Sequence, residues 1–406
     1  MSAARPASPA GPGRRAVLTG GLLAAGAGVA ACSTGSETPA AAPTSSTAGG
    51  GTVAFRGKRQ PGVTTPPQSF AAWVGLDLEP GADRDACRRL MSVLTDDIDR
   101  LMRGVAPLTD LEPELAAAPA GLTVTVGVGP GFYAAAGIAA DRPSWLAPLP
   151  RFPIDRLEDR WGQSDLVLQI CADSPVAVAH AQRRLTVGAQ PIVRTAWVQR
   201  GFREPLTKQT PGMPFRNLFG QVDGTVQPAT TGADDALIWL GADAPRGLAH
   251  GSSMVIRRIA MKMDDWDRAD RMAREHAVGR RLADGAPLTG QRETDPPDLQ
   301  AKDSLGFPVI DPASHMRRAM PAEPHERILR RPYSYDDVPP DGADSDSGLV
   351  FVAFQADPVR QFVPIQRRLA EADLLNIWTV PIGSAVYAVL PGAREGEVLG
   401  QELLGA

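Results

Sequence analysis

A stretch of this chain returns further on, its closing Arg-Arg-Leu 184 residues away. Leu166–Leu185 reads LVLQICADSPVAVAHAQRRL and Leu349–Leu369 reads LVFVAFQADPVRQFVPIQRRL. Each holds an apolar run, an Asp shortly before a Pro, a helical stretch and a closing Arg-Arg-Leu, opened by Arg183 in one and by Arg367 in the other. The same offset links Ser69–Leu78 (SFAAWVGLDL) to Ser253–Lys262 (SMVIRRIAMK), two strand-like runs. Two pairs sharing one offset indicate an internal duplication. A helical pattern follows each strand: Leu90, Leu94, Ile98 and Leu101 in the first copy, Trp266, Ala269, Met272, Ala273 and His276 in the second, at the spacing that puts one face of a helix on a core. Leu122–Val128 (LTVTVGV) alternates with period 2 and reads as a half-buried strand. The repeat unit is therefore strand, helix, strand or strands, helix. It predicts an α+β chain of two tandem ferredoxin-like domains, antiparallel sheets with peripheral helices, over 69–245 and 246–406.

Composition sets outer bounds. A hydrophobic fraction of 43% excludes wholesale disorder, and 42 basic against 46 acidic residues lack the surplus that phosphate contacts need, so no nucleic-acid partner is expected. The N-terminus reads as an address. Arg14-Arg15 precedes an apolar run, Ala16 to Ala31, that is 16 residues long, short of the ~20 that span a bilayer. Residues 1–32 thus look like a twin-arginine export signal, which predicts an extracellular or cell-envelope location. Val29-Ala30-Ala31-Cys32 resembles a lipobox that would place a lipid anchor on Cys32; an ordinary cleavage site after small residues is the alternative. Residues 33–68, rich in Ser, Thr, Gly, Ala and Pro, predict a disordered tether. Cys87 and Cys171 belong to no CxxC motif and read as buried thiols. The five histidines show no HExxH or paired metal spacing, which argues against zinc.

One segment is dense in chemistry-bearing residues: Arg216 to Thr225, RNLFGQVDGT. By itself Asp223-Gly224 is a turn signal. Two later segments join it, SHMRRAMP at 314–321 and ILRRPYSY at 328–335. With LVLQICAD (166–173), IRRIAMKMDDWDR (256–268), AVGRRLADGAPL (277–288), SGLVFVAFQAD (347–357) and PIGSAVYAVLPG (381–392), they resemble the dye-decolourising (DyP-type) haem peroxidases over nearly the whole folded part. The resemblance implies two ferredoxin-like domains of the dimeric α+β barrel superfamily, one haem b held mainly by the C-terminal one, and oxidation of dyes, phenols or other small organic reductants by H2O2. It implies His315 as the iron ligand, with Asp223 and Arg330 catalytic on the distal side. Gly224, Thr225 and Val226 would line the haem edge, and Leu349 and Phe351 would wall the pocket. Arg317 is a candidate propionate partner, with a surface arginine as the alternative. Asp357 is a candidate hydrogen-bond partner for the ligand histidine, with a helix-capping role, as for its twin Asp173, as the alternative. Those residue types suit the chemistry. A neutral imidazole leaves one axial position on iron free, a carboxylate can carry a proton between peroxide oxygens, and a guanidinium stabilises the charge on the departing oxygen. Seven Trp and four Tyr offer routes for electrons from a large dye. Two departures stand out: relatives often continue DGT with an Asn-Pro, where this chain has Thr225-Val226-Gln227-Pro228, and Met320 replaces an Asn. An envelope haem- or iron-handling protein is the alternative function, and a haem-free scaffold a third. The oligomeric state is left open, a homo-oligomer included.

Overall fold

The computed structural model describes residues 51–204 and 215–405. The expected export signal, Cys32 and the first part of the expected tether lie outside them.

Among the described residues nine strands form the framework: β1 (Phe70–Leu78), β2 (Thr123–Val128), β3 (Leu166–Ala172), β4 (Val193–Phe202), β5 (Ser252–Met261), β6 (Leu329–Arg330), β7 (Tyr333–Asp337), β8 (Asp346–Gln355) and β9 (Thr379–Val389). The first copy orders its strands β2-β3-β1-β4 and the second β9-β5-β8-β7. In both, the first and third strands of the copy are central and antiparallel neighbours, the ferredoxin-like arrangement. The copies meet edge to edge twice. β2 pairs with β9 at Gly127–Val389 and Val128–Ala388, and β4 pairs with β7 at Phe202–Ser334. With β5 paired to β8, the strands close into a barrel, which removes the exposed sheet edges.

Strand alternation sorts side chains between two sides of this barrel. Ala71 and Trp73 of β1, Val167 and Cys171 of β3, Val350, Val352 and Phe354 of β8 and Tyr387 of β9 point into one shared inner core. Ala72, Val74 and Leu76 of β1 and Leu168 and Ile170 of β3 point outward, onto Leu90, Leu94 and Ile98 of the helix Arg84–Met102. Each copy contributes to the inner core, so neither can complete it alone.

Three expectations change. β2 is buried on both faces, not one, because part of the expected tether covers it. Thr125 donates to the Pro61 carbonyl at 2.7 Å, and Thr123 accepts from Gln68 at 3.1 Å. Gln60 donates to the Val126 and Leu390 carbonyls at 2.8 and 2.9 Å and accepts from the Val126 N–H at 2.8 Å. It fills a seam where β2 and β9 pair for only two residues. Residues 51–68 therefore belong to the fold. The helix expected through Trp266 and His276 is two helices, Met263–Arg268 and Arg271–Val278, because Asp270 caps the second by accepting from the Ala273 N–H at 2.8 Å. Asp173 is not the cap of the helix Pro175–Gly188; Ser174 is, while Asp173 accepts from the backbone and hydroxyl of Ser69 at 2.9 and 3.0 Å. Cys87 and Cys171 are buried and unpaired, and burial, with help from Asp83 and Asp165, pushes the Cys87 thiol up to about 11.

Candidate active site

Asp223 sits on a folded-back loop. Asn217 and Gln221 clasp each other, the Gln221 N–H reaching the Asn217 carboxamide at 3.2 Å, with Gly220 at φ +74° making the reversal. That turn brings Asp223 back beside Phe215, whose carbonyl accepts the Asp223 N–H at 2.9 Å. Gly224 follows at φ +104°, a conformation that disfavours any side chain. Arg330, on the two-residue strand β6, donates through Nη1 to Asp223 Oδ1 at 2.8 Å and through Nη2 to the Val226 carbonyl at 3.3 Å. Both side chains are mostly covered but open to one side. Arg280 lies near enough to Arg330 that the two cations disfavour each other, and burial first, then Arg330, lowers the Arg280 pKa.

His315 opens the short helix His315–Ala319. Its predecessor Ser314 is fully buried against Gly279, the left-handed residue that ends the helix Arg271–Val278. A Cβ at Gly279 would stand 3.0 Å from the Ser314 hydroxyl. His315 Nδ1 lies 2.6 Å from Asp373 Oδ2, and the Asp373 carboxyl also accepts the Leu375 N–H at 2.9 Å. Asp373 is 4% exposed at the side chain and His315 39%, so a buried anion holds an imidazole whose other side is open. Burial alone would lower the His315 pKa. The charge and hydrogen bond of Asp373 outweigh it and hold the ring above the ordinary histidine range, and Arg330 and Asp223 also act on the ring. The donor set fits haem iron: Nδ1 is engaged by a carboxylate, which fixes the tautomer and raises the basicity of the remaining nitrogen, Nε2.

The structure brings Asp223, Gly224, Val226 and Arg330 together and places His315 within their electrostatic reach. Val226 contributes its carbonyl, its side chain being exposed, and Thr225 is half-buried beside it. Leu349 and Phe351 share one face of β8: Leu349 packs with Phe219 and Trp266, and Phe351 meets Phe362 at 6.0 Å. Arg317 donates through Nη1 to the Leu299 and Ile310 carbonyls at 3.2 and 3.3 Å, pinning the loop that precedes His315. Asp357 is not the partner of His315. It accepts the Val359 and Arg360 N–H groups at 2.8 and 3.1 Å and shapes the turn before the helix Phe362–Ala372. Asp373 does that work and was missed; its local signal was only that of a cap, on the turn Leu374–Ile377. Gln227 was also passed over. Elsewhere, Asp110, Glu112 and His180 bring ligand atoms within 4.8 Å of one another. Arg183 and Arg184 already supply the positive charge there, at 2.8 and 3.6 Å, so the group reads as an ion-pair network that ties a loop to the helix Pro175–Gly188.

Comparison with known proteins agrees with this layout. The family profile described as Dyp-type peroxidase, N-terminal, matches residues 60–203, and Dyp-type peroxidase, C-terminal, matches 215–394. A dye-decolorizing peroxidase from Thermobifida fusca (strain YX) is 39% identical over 363 residues, 85% of this chain and 83% of the relative. A deferrochelatase from Escherichia coli O6:K15:H31 (strain 536 / UPEC) is 32% identical over 370 residues, 86% of each protein. The crystal structure of a DyP-type peroxidase from Cellulomonas bogoriensis superposes with a TM-score of 0.87 at 51% identity, covering 89% of this chain and all of that one. With its profile halves falling on the two copies of the duplication and its ionisable pairs gathered at one site, the chain belongs to the Dyp-type peroxidase family and is a haem-dependent oxidoreductase that takes H2O2 as oxidant.

Proposed function

We propose that His315 ligates haem b through Nε2 and that Asp223 and Arg330 carry out the proton and charge work on H2O2. The observation that carries this is the pairing of two carboxylates with two opposite tasks, Asp373 on His315 at 2.6 Å and Asp223 on Arg330 at 2.8 Å. Bound haem would store the two oxidising equivalents of H2O2, which electrons from a small organic reductant would discharge one at a time. The chain supplies the rest. Arg330 occupies Asp223 Oδ1, which leaves Oδ2 to take the proton from one peroxide oxygen and return it to the other as the O–O bond breaks. The Arg330 guanidinium faces the oxygen on which negative charge grows, and the partial burial of the pair strengthens that attraction. Asp373 keeps the His315 ring oriented and electron-rich.

Purified protein supplied with haem should show a Soret band, and one equivalent of H2O2 should change it within the mixing time. His315→Ala should fold and lose the band. Loss of haem from His250→Ala or His325→Ala with His315→Ala intact would overturn the assignment.

The deferrochelatase relatives favour a second reading, a haem- or iron-handling role in the envelope with incidental peroxidase activity. Iron release that leaves the porphyrin ring intact, read as porphyrin fluorescence, supports that reading; peroxide-dependent reductant oxidation with the haem conserved supports the first. The paired arginines, the short apolar run and Cys32 support export by the twin-arginine route to the envelope or medium, with a lipid anchor at Cys32.

A further inference from the structure

We infer that Gln227 is the positioning residue that holds Arg330 in register with Asp223. The inference rests on Arg330 acting at the proposed peroxide site. Arg330 lies on a strand of only two residues, and one edge of that strand is β8, where Leu329 faces Phe354 and Arg330 faces Ala353. The backbone N–H and C=O of Arg330 point away from β8. Both are met by one side chain: Gln227 Oε1 accepts the Arg330 N–H at 2.9 Å, and Gln227 Nε2 donates to the Arg330 carbonyl at 3.0 Å. A single carboxamide thus replaces the missing neighbouring strand.

The guanidinium closes the loop from the other end. Its Nη1 reaches Asp223 and its Nη2 reaches the carbonyl of Val226, the residue just before Gln227. Segment 223–227 therefore grips Arg330 by both backbone and side chain, and the two grips share one short piece of chain. If the backbone of Arg330 drifts from this segment, the guanidinium drifts from Asp223 as well. Gln227 touches neither Asp223 nor the open side of the His315 ring through any hydrogen bond among the described residues, so its effect on the reaction passes through Arg330. A carboxamide one methylene longer than Asn has the reach and both polarities for this grip, and Leu has the size without the polarity.

The test is a double-variant cycle on the haem-loaded enzyme, reading the second-order rate of the absorbance change on mixing with H2O2, haem content per chain and KM for H2O2. Gln227→Leu should slow that rate about tenfold, with haem content unchanged because His315 and Asp373 lie on other elements. In an Arg330→Leu background the same substitution should change the rate less than twofold, since nothing is left to position. Gln227→Glu, which keeps the acceptor and loses the donor, should fall between wild type and Gln227→Leu; should Gln227→Leu prove insoluble, Gln227→Glu and its Arg330→Leu double carry the same cycle. A Gln227 variant at the wild-type rate, or an equal loss in both backgrounds, overturns the inference. If Arg330→Leu itself reacts at the wild-type rate, the role proposed for Arg330 fails, and the role of Gln227 falls with it.

Discussion

Replacing Asp373 by Asn tests the proximal half of the site in one step. Asn keeps the size and, with its one oxygen turned to His315 Nδ1, exchanges a charged acceptor for a neutral one where the carboxylate now stands at 2.6 Å, while the Leu375 N–H loses the second oxygen. Hydrogen bonds to charged groups contribute roughly 1.5–3 kcal/mol, and neutral ones about half as much. The difference, about 1.4 kcal/mol, is tenfold in an equilibrium constant, the lower end of the 10–100-fold that outer partners of metal-ligating histidines typically contribute. The lost anion stabilises ferric iron more than ferrous, since the ferric site carries one more positive charge. A tenfold bias between the two states corresponds to about 59 mV for one electron. Asp373→Asn should therefore raise the ferric/ferrous midpoint by about 60 mV and weaken haem retention at low haem concentration. Anaerobic spectroelectrochemical titration reads the first and gel filtration with absorbance detection the second. An unchanged midpoint in a variant with full haem content would refute the claim that Asp373 tunes the imidazole.

Arg330→Leu and Asp223→Asn should each slow the absorbance change after H2O2 mixing by ~10² or more, Arg330→Leu at least as much, because a pocket water can partly replace a proton carrier but not a fixed charge; stopped-flow traces at the wild-type rate in both would end the distal mechanism. Asp97, buried on the helix Arg84–Met102, is pushed up to about 6 from 3.8 by burial first and by Asp96 next. The folded state then binds this proton more tightly than the unfolded state, so the contribution is fully present below about pH 4 and is lost as pH rises through about 6. Asp97→Asn should raise stability by up to about 3 kcal/mol at pH 8 and change it little at pH 4, which denaturant titrations at the two pH values would show. Arg14→Lys with Arg15→Lys should keep the protein in the cytoplasm, and Cys32→Ala should convert a membrane-bound form to a soluble one; fractionation reads both, and wild type found wholly soluble in the medium would remove the anchor.

What the sequence revealed and what it hid divide along physical lines. The duplication was legible because both copies use the same device, a strand that serves two cores, and that device leaves apolar residues at fixed offsets in β1 and β5 and in β3 and β8. The contact between Asp223 and Arg330 was legible only through the family resemblance, since by itself Asp223-Gly224 reads as a turn. Asp373 was not, because its function is set by a contact across 58 residues and no local pattern marks it. Its twin Asp173 argued for a local role for Asp357, and Asp357 does shape a turn, while Asp173 binds the Ser69 backbone and hydroxyl; the duplication carried over position without carrying over task.

The segment 51–68 misled for a related reason. Its Gly, Pro, Thr and Gln content is that of a chain with no core of its own, and that reading is correct as far as it goes. What composition does not report is a polar seam elsewhere that needs such residues. β2 turns Thr123 and Thr125 to the inner face of the barrel, in register with Cys171 and Gln169, and the two-residue β2–β9 join leaves the Val126 N–H and the Leu390 carbonyl to be met by side chains. Gln60, Gln68 and the Pro61 carbonyl satisfy those groups where an apolar segment would bury them unmet, at a cost of about 1–3 kcal/mol for each orphaned group. Gln227 plays the same part at Arg330. At Val126 and at Arg330 a glutamine side chain from a loop completes a strand edge, and a carboxamide in a loop is the residue type from which pattern reading extracts least.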